Sequence, residues 1–417
     1  MSISYKTPAY FTDFSCLGSD CEDTCCRNWE VKLDKKHFDM LDEVMSHDDN
    51  DKSTFEQYVR LNDNSITSDH DFAFIRMGVN GYCGMLDNEG LCSIHTKFGL
   101  DPMGNVCTMF PRMISRCGDT VELSGALSCP EVVRLCINDN KPLKQTRFKT
   151  SELPRGKNYP IKRELFITDN DYYSAHFEIV REKMLSIMAD EKYALETRLY
   201  ALTSMANNIS SFYHRDCAEV SEEKISSILN DFTQKEFIKN LDLFINEYDN
   251  TSAIHMVVAH SILSIKLEQA PNENISQCYQ KIINGFDVTS DNHAELLLKK
   301  VYEVRENLGN ENLLNIDKAV TRYILNCLHR EWFVSMPDPF TYIQMLLVRS
   351  LLLRTLIYLD NDNNFEKSYV HERVVYVMYN FARNIDQNLD FLKVIYNALS
   401  EQTMMTFDFS PAFIRIN

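Results

Sequence analysis

Glycine is scarce in this chain of 417 residues, and it is unevenly distributed. Nine of the 12 glycines lie in residues 1–125, and only Gly156, Gly285 and Gly309 follow. A dinucleotide site of the G-x-G-x-x-G type needs clustered glycines, because the backbone must approach the cofactor closely. That pattern is absent, as are the G-x-x-x-x-G-K-[ST] phosphate loop and the H-E-x-x-H metalloprotease motif. The sequence therefore excludes several large enzyme classes.

Positive charge is also in short supply. The chain has 43 Lys and Arg against 60 Asp and Glu, which gives a net charge of −17. General binding to nucleic acid or to an anionic membrane requires an excess of Lys and Arg, so the composition argues against both. A basic or lysine-bearing partner is compatible with it.

Long hydrophobic runs are missing as well. The first residues lack the basic stretch and apolar run of a secretory signal. The longest apolar segment, Met345–Leu359, is interrupted by Arg349 and Arg354 and is shorter than the about 20 residues of a membrane span. We therefore expect no membrane span, and we expect this segment to be a buried helix. If both arginines face inward, they need acidic partners.

Cysteine, in contrast, is abundant and concentrated near the start. Ten of the 13 cysteines lie in residues 1–136. The absence of a secretory signal, the odd total and the size of the chain all argue against a disulfide framework. Dense cysteine in a reducing compartment more often indicates metal binding.

The cysteines fall into separate motifs. Cys16-x4-Cys21-x3-Cys25-Cys26 places four thiols within a polar stretch, and the adjacent pair could serve one cluster and its surroundings or two centres. Cys83 and Cys92 flank the turn signal Asp87-Asn88-Glu89-Gly90, which predicts a hairpin. The candidate ligands are Cys16, Cys21, Cys25, Cys26, Cys83, Cys92, Cys107 and Cys129.

One of these positions and two other cysteines carry further expectations. Cys129 precedes Pro130, which suits the first position of a helix, so its thiolate would lie at a helix N-terminus. Cys117 and Cys136 we expect to be buried, reduced thiols that pack as small hydrophobic groups. The irregular spacing and the lack of paired C-x2-C knuckles favour an iron–sulfur cluster over zinc, although thiolates suit both.

At these residues the chain resembles the flagellin lysine-N-methylase family. The motifs that carry the resemblance are FSCLGSDCEDTCCRNWEV, GYCGMLDNEGLC, CTMFPR and LSCPEV. The front part is also similar to a broader group of cysteine-rich zinc- or iron-chelating domains. Weaker similarity continues in RYILNCLHREWF and in NFARNIDQNLDFL, where the family often has His in place of Gln387.

The resemblance implies transfer of methyl groups from S-adenosylmethionine to lysine side chains of flagellin. It also implies an iron–sulfur cluster, of the 4Fe–4S type, held by the cysteine motif, and a cytoplasmic location, since flagellin is modified before export. The alternative is a zinc- or iron-binding protein without catalytic activity. The sequence singles out no catalytic residue, no cofactor pocket and no oligomeric state, and it leaves radical and direct methyl transfer open.

Hydrophobic periodicity divides the chain into three parts. Residues 1–140 form the cysteine-rich part, with a strand at Trp29–Leu33, a helix capped by Asp34 and a polar loop at 46–70. Residues 141–165 are a basic, proline-containing linker, and residues 166–417 are helical. The predicted fold is mainly α, with a small mixed α/β metal-binding part before a larger α-helical domain.

Overall fold

The structure is a computed structural model of the chain. It describes residues 4–27, 29–62, 69, 71–79, 81–138, 144–149, 163–165, 176–213, 221–248, 253–285, 292–360 and 363–416. The fold is mainly α, with a small mixed α/β part before a larger helical part, which confirms the predicted class.

Two compact units make up the molecule. The first consists of residues 1–135 and 144–164, and the second of residues 136–143 and 165–417. The predicted domain limits at residues 140 and 165 stay predictions. Most of the basic linker lies outside the described residues, but Gln145–Lys149 forms a strand.

The first unit contains two small sheets. The five-stranded sheet has the order β7-β1-β6-β5-β8, in which β1 runs parallel to β6 and antiparallel to β7. The three-stranded sheet is antiparallel with the order β2-β4-β3. The strands are β1 Ser4–Pro8, β2 Val31–Leu33, β3 Val59–Leu61, β4 Ala73–Ile75, β5 Arg112–Cys117, β6 Thr120–Gly125, β7 Gln145–Lys149 and β8 Arg163–Leu165.

Five helices accompany these sheets. They are α1 Lys35–Met45, α2 Asp49–Tyr58, α3 Ser93–Phe98, α4 Asn105–Met109 and α5 Pro130–Ile137. Asp34 caps α1 through a side-chain bond from the His37 amide, so the predicted strand and helix are both confirmed. The polar loop predicted at 46–70 is wrong in part: the Asp48 carboxylate accepts the amides of Asn50 and Asp51, and this cap starts α2 in the polar stretch.

The second unit is helical throughout its described residues. Its helices are α6 Phe177–Ala189, α7 Leu195–Ser210, α8 Glu222–Asp231, α9 Lys235–Glu247, α10 Ile254–Gln269, α11 Asn274–Asn284, α12 His293–Arg330, α13 Pro339–Leu359, α14 Lys367–Phe381, α15 Leu389–Glu401 and α16 Ser410–Ile414. The long helix α12 bends at Gly309, which has a φ of 70°. A π-helical turn, Ala382–Asp386, lies between α14 and α15.

Helix α13 is the centre of the second unit. All of its residues except Thr341 are buried, including Arg349 and Arg354. It is the helix of the described chain that is long and apolar enough to cross a membrane, yet it packs inside the unit against α7, α12 and α14. The expectation of a buried helix at Met345–Leu359 is confirmed.

Candidate metal centre

The predicted metal ligands lie in four places in the first unit. Cys16, Cys21, Cys25 and Cys26 occupy an irregular segment between β1 and β2. Cys83 and Cys92 flank a hairpin, Cys107 lies on α4, and Cys129 immediately precedes α5. No disulfide joins any of the described cysteines, so all of these thiols are available for metal.

A tight turn sets the spacing of Cys83 and Cys92. The Asp87 side chain accepts hydrogen bonds from the amides of Glu89 at 3.0 Å and Leu91 at 2.9 Å. Gly90 completes the turn with a φ of +77°, a conformation that other residues rarely adopt. Leu86 and Cys92 then pair across the hairpin, which confirms the predicted turn.

Backbone contacts bring the first motif to this hairpin. The Cys83 amide donates to the Cys26 carbonyl at 2.8 Å, and Arg27 pairs with Tyr82 in an isolated antiparallel bridge. The Trp29 indole donates to the Cys25 carbonyl at 2.7 Å. These contacts fix the adjacent cysteines beside the hairpin although about 57 residues of chain separate them.

The sulfurs themselves form a connected electrostatic group. Charge on Cys25 would act on Cys83, Cys92 and Cys129, and charge on Cys21 would act on Cys129. Cys16 in turn acts on Cys21. The Cys25 and Cys26 sulfurs are 4.0 Å apart. The fold therefore brings together thiols that are remote in sequence.

Three of these sulfurs accept backbone hydrogen bonds. The donors are the amides of Met85 to Cys83, of Ile94 and His95 to Cys92, and of Glu131 and Val132 to Cys129. Such donors favour the thiolate, the form that binds metal. The Cys129 bonds come from the first turn of α5, as its position before Pro130 predicts.

Burial opposes this effect in the absence of metal. It raises the pKa of Cys83 to about 11 and the pKa of Cys129 to about 12. It also raises the pKa of Cys21 and of Cys92. These thiols are therefore protonated at neutral pH unless a metal ion displaces the protons.

For Cys107, the contact that the structure gives is packing against an apolar core. It packs against the apolar core that surrounds the three-stranded sheet, together with Cys26 and Cys92. Among the described residues, no three Cys, His, Asp or Glu side chains are close enough to hold a metal ion between them. Metal binding would have to draw the sulfurs together, and the eight ligands stay a prediction.

Cys117 and Cys136 lie outside this group, as expected. Both are buried, with 3% and 0% of their surface exposed. Cys136 belongs to the second unit, where its sulfur is 3.7 Å from the Arg322 carbonyl. They behave as packed thiols rather than candidate ligands.

The second unit contains a buried ionic centre that sequence reasoning missed. Both Arg349 amino groups bind Glu331, at 3.0 and 2.7 Å, and Arg330 binds the same carboxylate at 2.8 Å. The Tyr342 hydroxyl donates to Glu331 at 3.3 Å. Glu331 therefore accepts four hydrogen bonds, and the two arginines hold its pKa at about 2 although the side chain is largely withdrawn from solvent.

Asp386 is the second carboxyl group of this centre. Its Oδ1 accepts from the Tyr323 hydroxyl at 2.9 Å and lies 3.5 Å from Arg349, whereas its Oδ2 has no hydrogen-bond partner among the described residues. Burial raises its pKa to about 6. Tyr323 and Glu331 belong to one weakly similar segment and Asp386 to the other, so the fold joins those two segments. The resemblance of both segments to the family was the sequence signal that could have indicated this centre.

A second ionic group lies further along α13. Arg354 donates to Glu196 at 2.6 Å and to the Ile414 carbonyl at 2.7 Å. Burial raises the pKa of nearby Asp317 to about 6. Arg349 and Arg354 thus face inward on acidic partners, which confirms the expectation for both.

Comparison with known proteins identifies a family whose model matches this chain. The family model described as the FliB lysine N-methylase C-terminal domain matches residues 181–409. The lysine-N-methylase of Salmonella typhimurium (strain LT2) is 26% identical over 240 residues, which cover 53% of this chain and 51% of that protein. The corresponding protein of Salmonella choleraesuis is 25% identical over 240 residues, with the same coverage.

A third relative is shorter. The flagellar biosynthetic protein FliU of Salmonella muenchen is 31% identical over 150 residues, which cover 33% of this chain and 79% of that protein. The chain spans about half the length of the curated lysine-N-methylases that it matches. No solved structure matches it. Because the family model covers more than half of the chain, including both ionic groups, the chain belongs to the FliB (flagellin lysine-N-methylase) family.

Proposed function

We propose that this protein is a lysine N-methyltransferase that transfers methyl groups from S-adenosylmethionine to lysine side chains of flagellin in the cytoplasm. The observation that carries the proposal is the family match to a lysine N-methylase domain across most of the helical unit. The flagellar name of one relative supports flagellin as the substrate. The net charge of −17 suits a lysine-bearing partner.

The cysteines of the first unit suit an iron–sulfur cluster as the resident metal group, with zinc as the second choice. The donor set is all thiol, several sulfurs already accept backbone amides, and no disulfide competes for the described cysteines. These are the ligands that iron–sulfur clusters and structural zinc ions take. When bound, a cluster with an iron that lacks a thiolate ligand supplies a position for the amino and carboxylate groups of the methyl donor.

The protein must also present its substrate amine in the neutral form. A free lysine has a pKa of about 10.4, so at neutral pH it must lose a proton before it attacks a methyl carbon. A carboxyl group with a pKa near the working pH is the most effective acceptor. Burial places Asp317 and Asp386 near this range, and Asp386 keeps an oxygen without a partner in the described structure. These two carboxyl groups are our candidates for the general base.

The test uses the full chain, purified without oxygen and loaded with iron and sulfide. Incubation with methyl-labelled S-adenosylmethionine and purified flagellin should place label on lysine, as read by mass spectrometry of peptides. S-Adenosylhomocysteine should suppress the signal. No label on lysine under reduced, cluster-loaded conditions would overturn the proposal.

Single-residue variants test the roles of the candidate general bases and of Cys25. Asp386→Asn and Asp317→Asn should separate the two candidate bases, since the true base variant loses most activity and shifts the pH profile of kcat. Cys25→Ala should remove the iron signal together with methylation. Full methylation and an unchanged iron signal in Cys25→Ala would show that Cys25 does not hold the cluster, and full methylation after loss of the iron signal would show that the cluster has no part in the reaction. A colourless protein with stoichiometric zinc and no methylation would instead support a metal-binding protein without catalytic activity.

A further inference from the structure

A small cavity lies in the second unit, where the turn between α6 and α7 meets the turn between α8 and α9. Its volume is about 110 Å³. A water molecule takes about 30 Å³ in the liquid, and an apolar cavity of about 150 Å³ admits benzene. The cavity therefore has room for a short chain of about five heavy atoms.

The two turns position polar groups around the cavity. The Asp190 amide donates to the Ile187 carbonyl at 3.4 Å, and the Tyr193 amide donates to the Asp190 carbonyl at 3.3 Å, so the chain changes direction here between α6 and α7. Thr233 lies between α8 and α9, where its amide donates to the Asn230 carbonyl at 3.2 Å. Hydrogen bonds local to each connection thus bring the two turns to one cavity.

The lining of the cavity is polar at the surface and apolar inside. Ser186 and Thr233 are exposed and mark the mouth, whereas Ile187, Ala201 and Ile238 are buried. An occupant that enters from solvent would pass the hydroxyl groups first. An aliphatic chain would then lose its contact with water against the apolar side chains, which favours binding.

Arg198 adds a buried charged group to the lining. It has 6% of its surface exposed, and its amino groups donate to the Met188 carbonyl at 2.5 Å and to the Thr321 hydroxyl at 3.1 Å. Its Nε has no acceptor among the described residues. Arginine carries five N–H donors, and a buried donor without an acceptor is costly. An occupant with an acceptor oxygen would therefore be stabilised by Arg198.

The charges around Arg198 favour an uncharged occupant. Glu191, Asp317, Glu196 and Asp190 all act electrostatically on this guanidinium group. Because four carboxyl groups already surround one positive charge, a further carboxylate would be repelled by them. An ammonium group would be repelled by the guanidinium group itself. A neutral polar group avoids both penalties.

Asp190 supplies an acceptor on the same cavity. Its Oδ1 accepts the Lys192 amide at 3.4 Å, and a carboxylate has room for further hydrogen bonds. Arg198 as donor and Asp190 as acceptor match a group that carries a carbonyl oxygen and an N–H on one carbon atom. A primary carboxamide has both and is uncharged.

We propose that this cavity binds a primary carboxamide on a short aliphatic chain, such as a glutamine side chain, with its carbonyl oxygen on Arg198 and its amino group on Asp190. The aliphatic chain packs against Ile187, Ala201 and Ile238. The inference does not rest on the proposed function, so its test measures binding and not methylation.

Methyl NMR of the full chain, labelled at isoleucine, tests the proposal because Ile187 and Ile238 line the cavity. Butyramide, butyrate and butylamine have chains of similar size and differ in their end groups. Butyramide should shift the methyl signals of both isoleucines, and the two charged compounds should bind about tenfold more weakly or not at all. No shift with butyramide, or equal affinity for all three compounds, would overturn the proposal.

Two variants and a matched control assign the binding to this cavity. Ser186→Phe places a ring at the mouth without changing a buried residue, and Asp190→Ala removes the acceptor. Each should weaken butyramide binding by about tenfold or more. Ser261→Phe is the control, since Ser261 is an exposed serine on α10 that does not line the cavity, and it should bind like wild type. Unchanged binding in Ser186→Phe would show that butyramide binds elsewhere and that the proposal is wrong.

Two forms of glutamine distinguish the sources of the carboxamide. N-Acetylglutamine N-methylamide represents a glutamine within a protein, whereas free glutamine carries the charged groups of the amino acid. Tighter binding of the blocked form would assign the cavity to a glutamine side chain of a partner protein. Tighter binding of free glutamine would assign it to the amino acid. If neither form displaces butyramide, glutamine is excluded as the occupant and the proposal fails.

Discussion

The two units of this protein stabilise their polar groups in different ways. In the first unit, short strands and helices surround a small apolar core, and thiols that form no disulfide lie beside that core. In the second unit, long helices bury arginines together with the carboxylates that neutralise them. We therefore expect the stability of the first unit to depend on metal binding and that of the second unit to depend on its buried ion pairs.

The largest expected effect comes from breaking the ionic centre of the second unit. Arg349→Leu would remove three contacts and leave Glu331 and Asp386 buried with less positive charge. Loss of one partner of a buried ion pair typically costs about 3–5 kcal/mol of stability. Trp332, which is buried in this unit, should report the change by fluorescence in a Trp29→Phe background.

Lys367→Ala is the matched control for Arg349→Leu. Lys367 forms a salt bridge with Glu311 in the same unit, but both side chains are largely exposed. An exposed pair contributes about 0–1 kcal/mol, so this variant should unfold close to wild type. Equal losses in both variants would contradict the comparison between buried and exposed pairs.

Metal removal should act on the other unit. A ligand at a thousandfold excess over its Kd stabilises the folded state by about 4 kcal/mol. Chelation should therefore make residues 4–138 sensitive to protease at lower denaturant concentrations. The unfolding transition reported by Trp332 should not move. A chelator that leaves the protease sensitivity of the first unit unchanged would show that metal does not stabilise it.

The pH dependence of Asp386 gives a smaller, signed effect. Burial raises its pKa from 3.8 to about 6, so the folded state holds the proton more tightly than the unfolded state does. The contribution of Asp386 to stability is then highest below about pH 4, falls as the pH rises towards 6 and stays lower above pH 6. A shift of about two units corresponds to about 3 kcal/mol.

Asp386→Asn removes this titration. Because wild type loses stability over this range, the free energy of unfolding of the variant, measured relative to wild type through Trp332, should increase by up to about 3 kcal/mol between pH 4 and pH 7. A difference between variant and wild type that is constant across this range would show that Asp386 does not titrate there.

The smallest effect compares one glycine in each unit. Gly90 and Gly309 both have positive φ, and an added Cβ would meet no atom within 4 Å at either position. Substitution by Ala should therefore cost about 1–2 kcal/mol of backbone strain in each case. Only Gly90→Ala lies in the hairpin between Cys83 and Cys92, so it alone should weaken metal binding. Reduced metal content in Gly309→Ala would contradict the expectation that metal binding depends on the first unit alone.

Local patterns predicted much of the fold. The Asp34 cap, the Asp87–Gly90 turn and the start of α5 at Pro130 depend on neighbouring residues, and each was confirmed. Helix α2 was missed because its polar sequence has little apolar periodicity, and the Asp48 cap provides its start.

The candidate sites were harder to predict because they depend on contacts between distant segments. Cysteine density indicated a metal site, but nothing in the spacing shows that Cys26 packs with Cys83 while Cys25 does not. Likewise, Glu331 and Asp386 meet only because the π-helical turn and α13 pack together around Arg349. The sequence therefore predicts candidate ligands but not the contacts between the segments that carry them.

X-ray absorption at the zinc and iron edges of the anaerobically purified full chain tests most directly whether the cysteines of the first unit bind metal. The account predicts sulfur as the neighbouring atom of the bound metal, at about 2.3 Å for zinc. It also predicts loss of this signal when the eight candidate cysteines are replaced by serine. Metal surrounded by nitrogen and oxygen, or an unchanged spectrum in the serine variant, would contradict it.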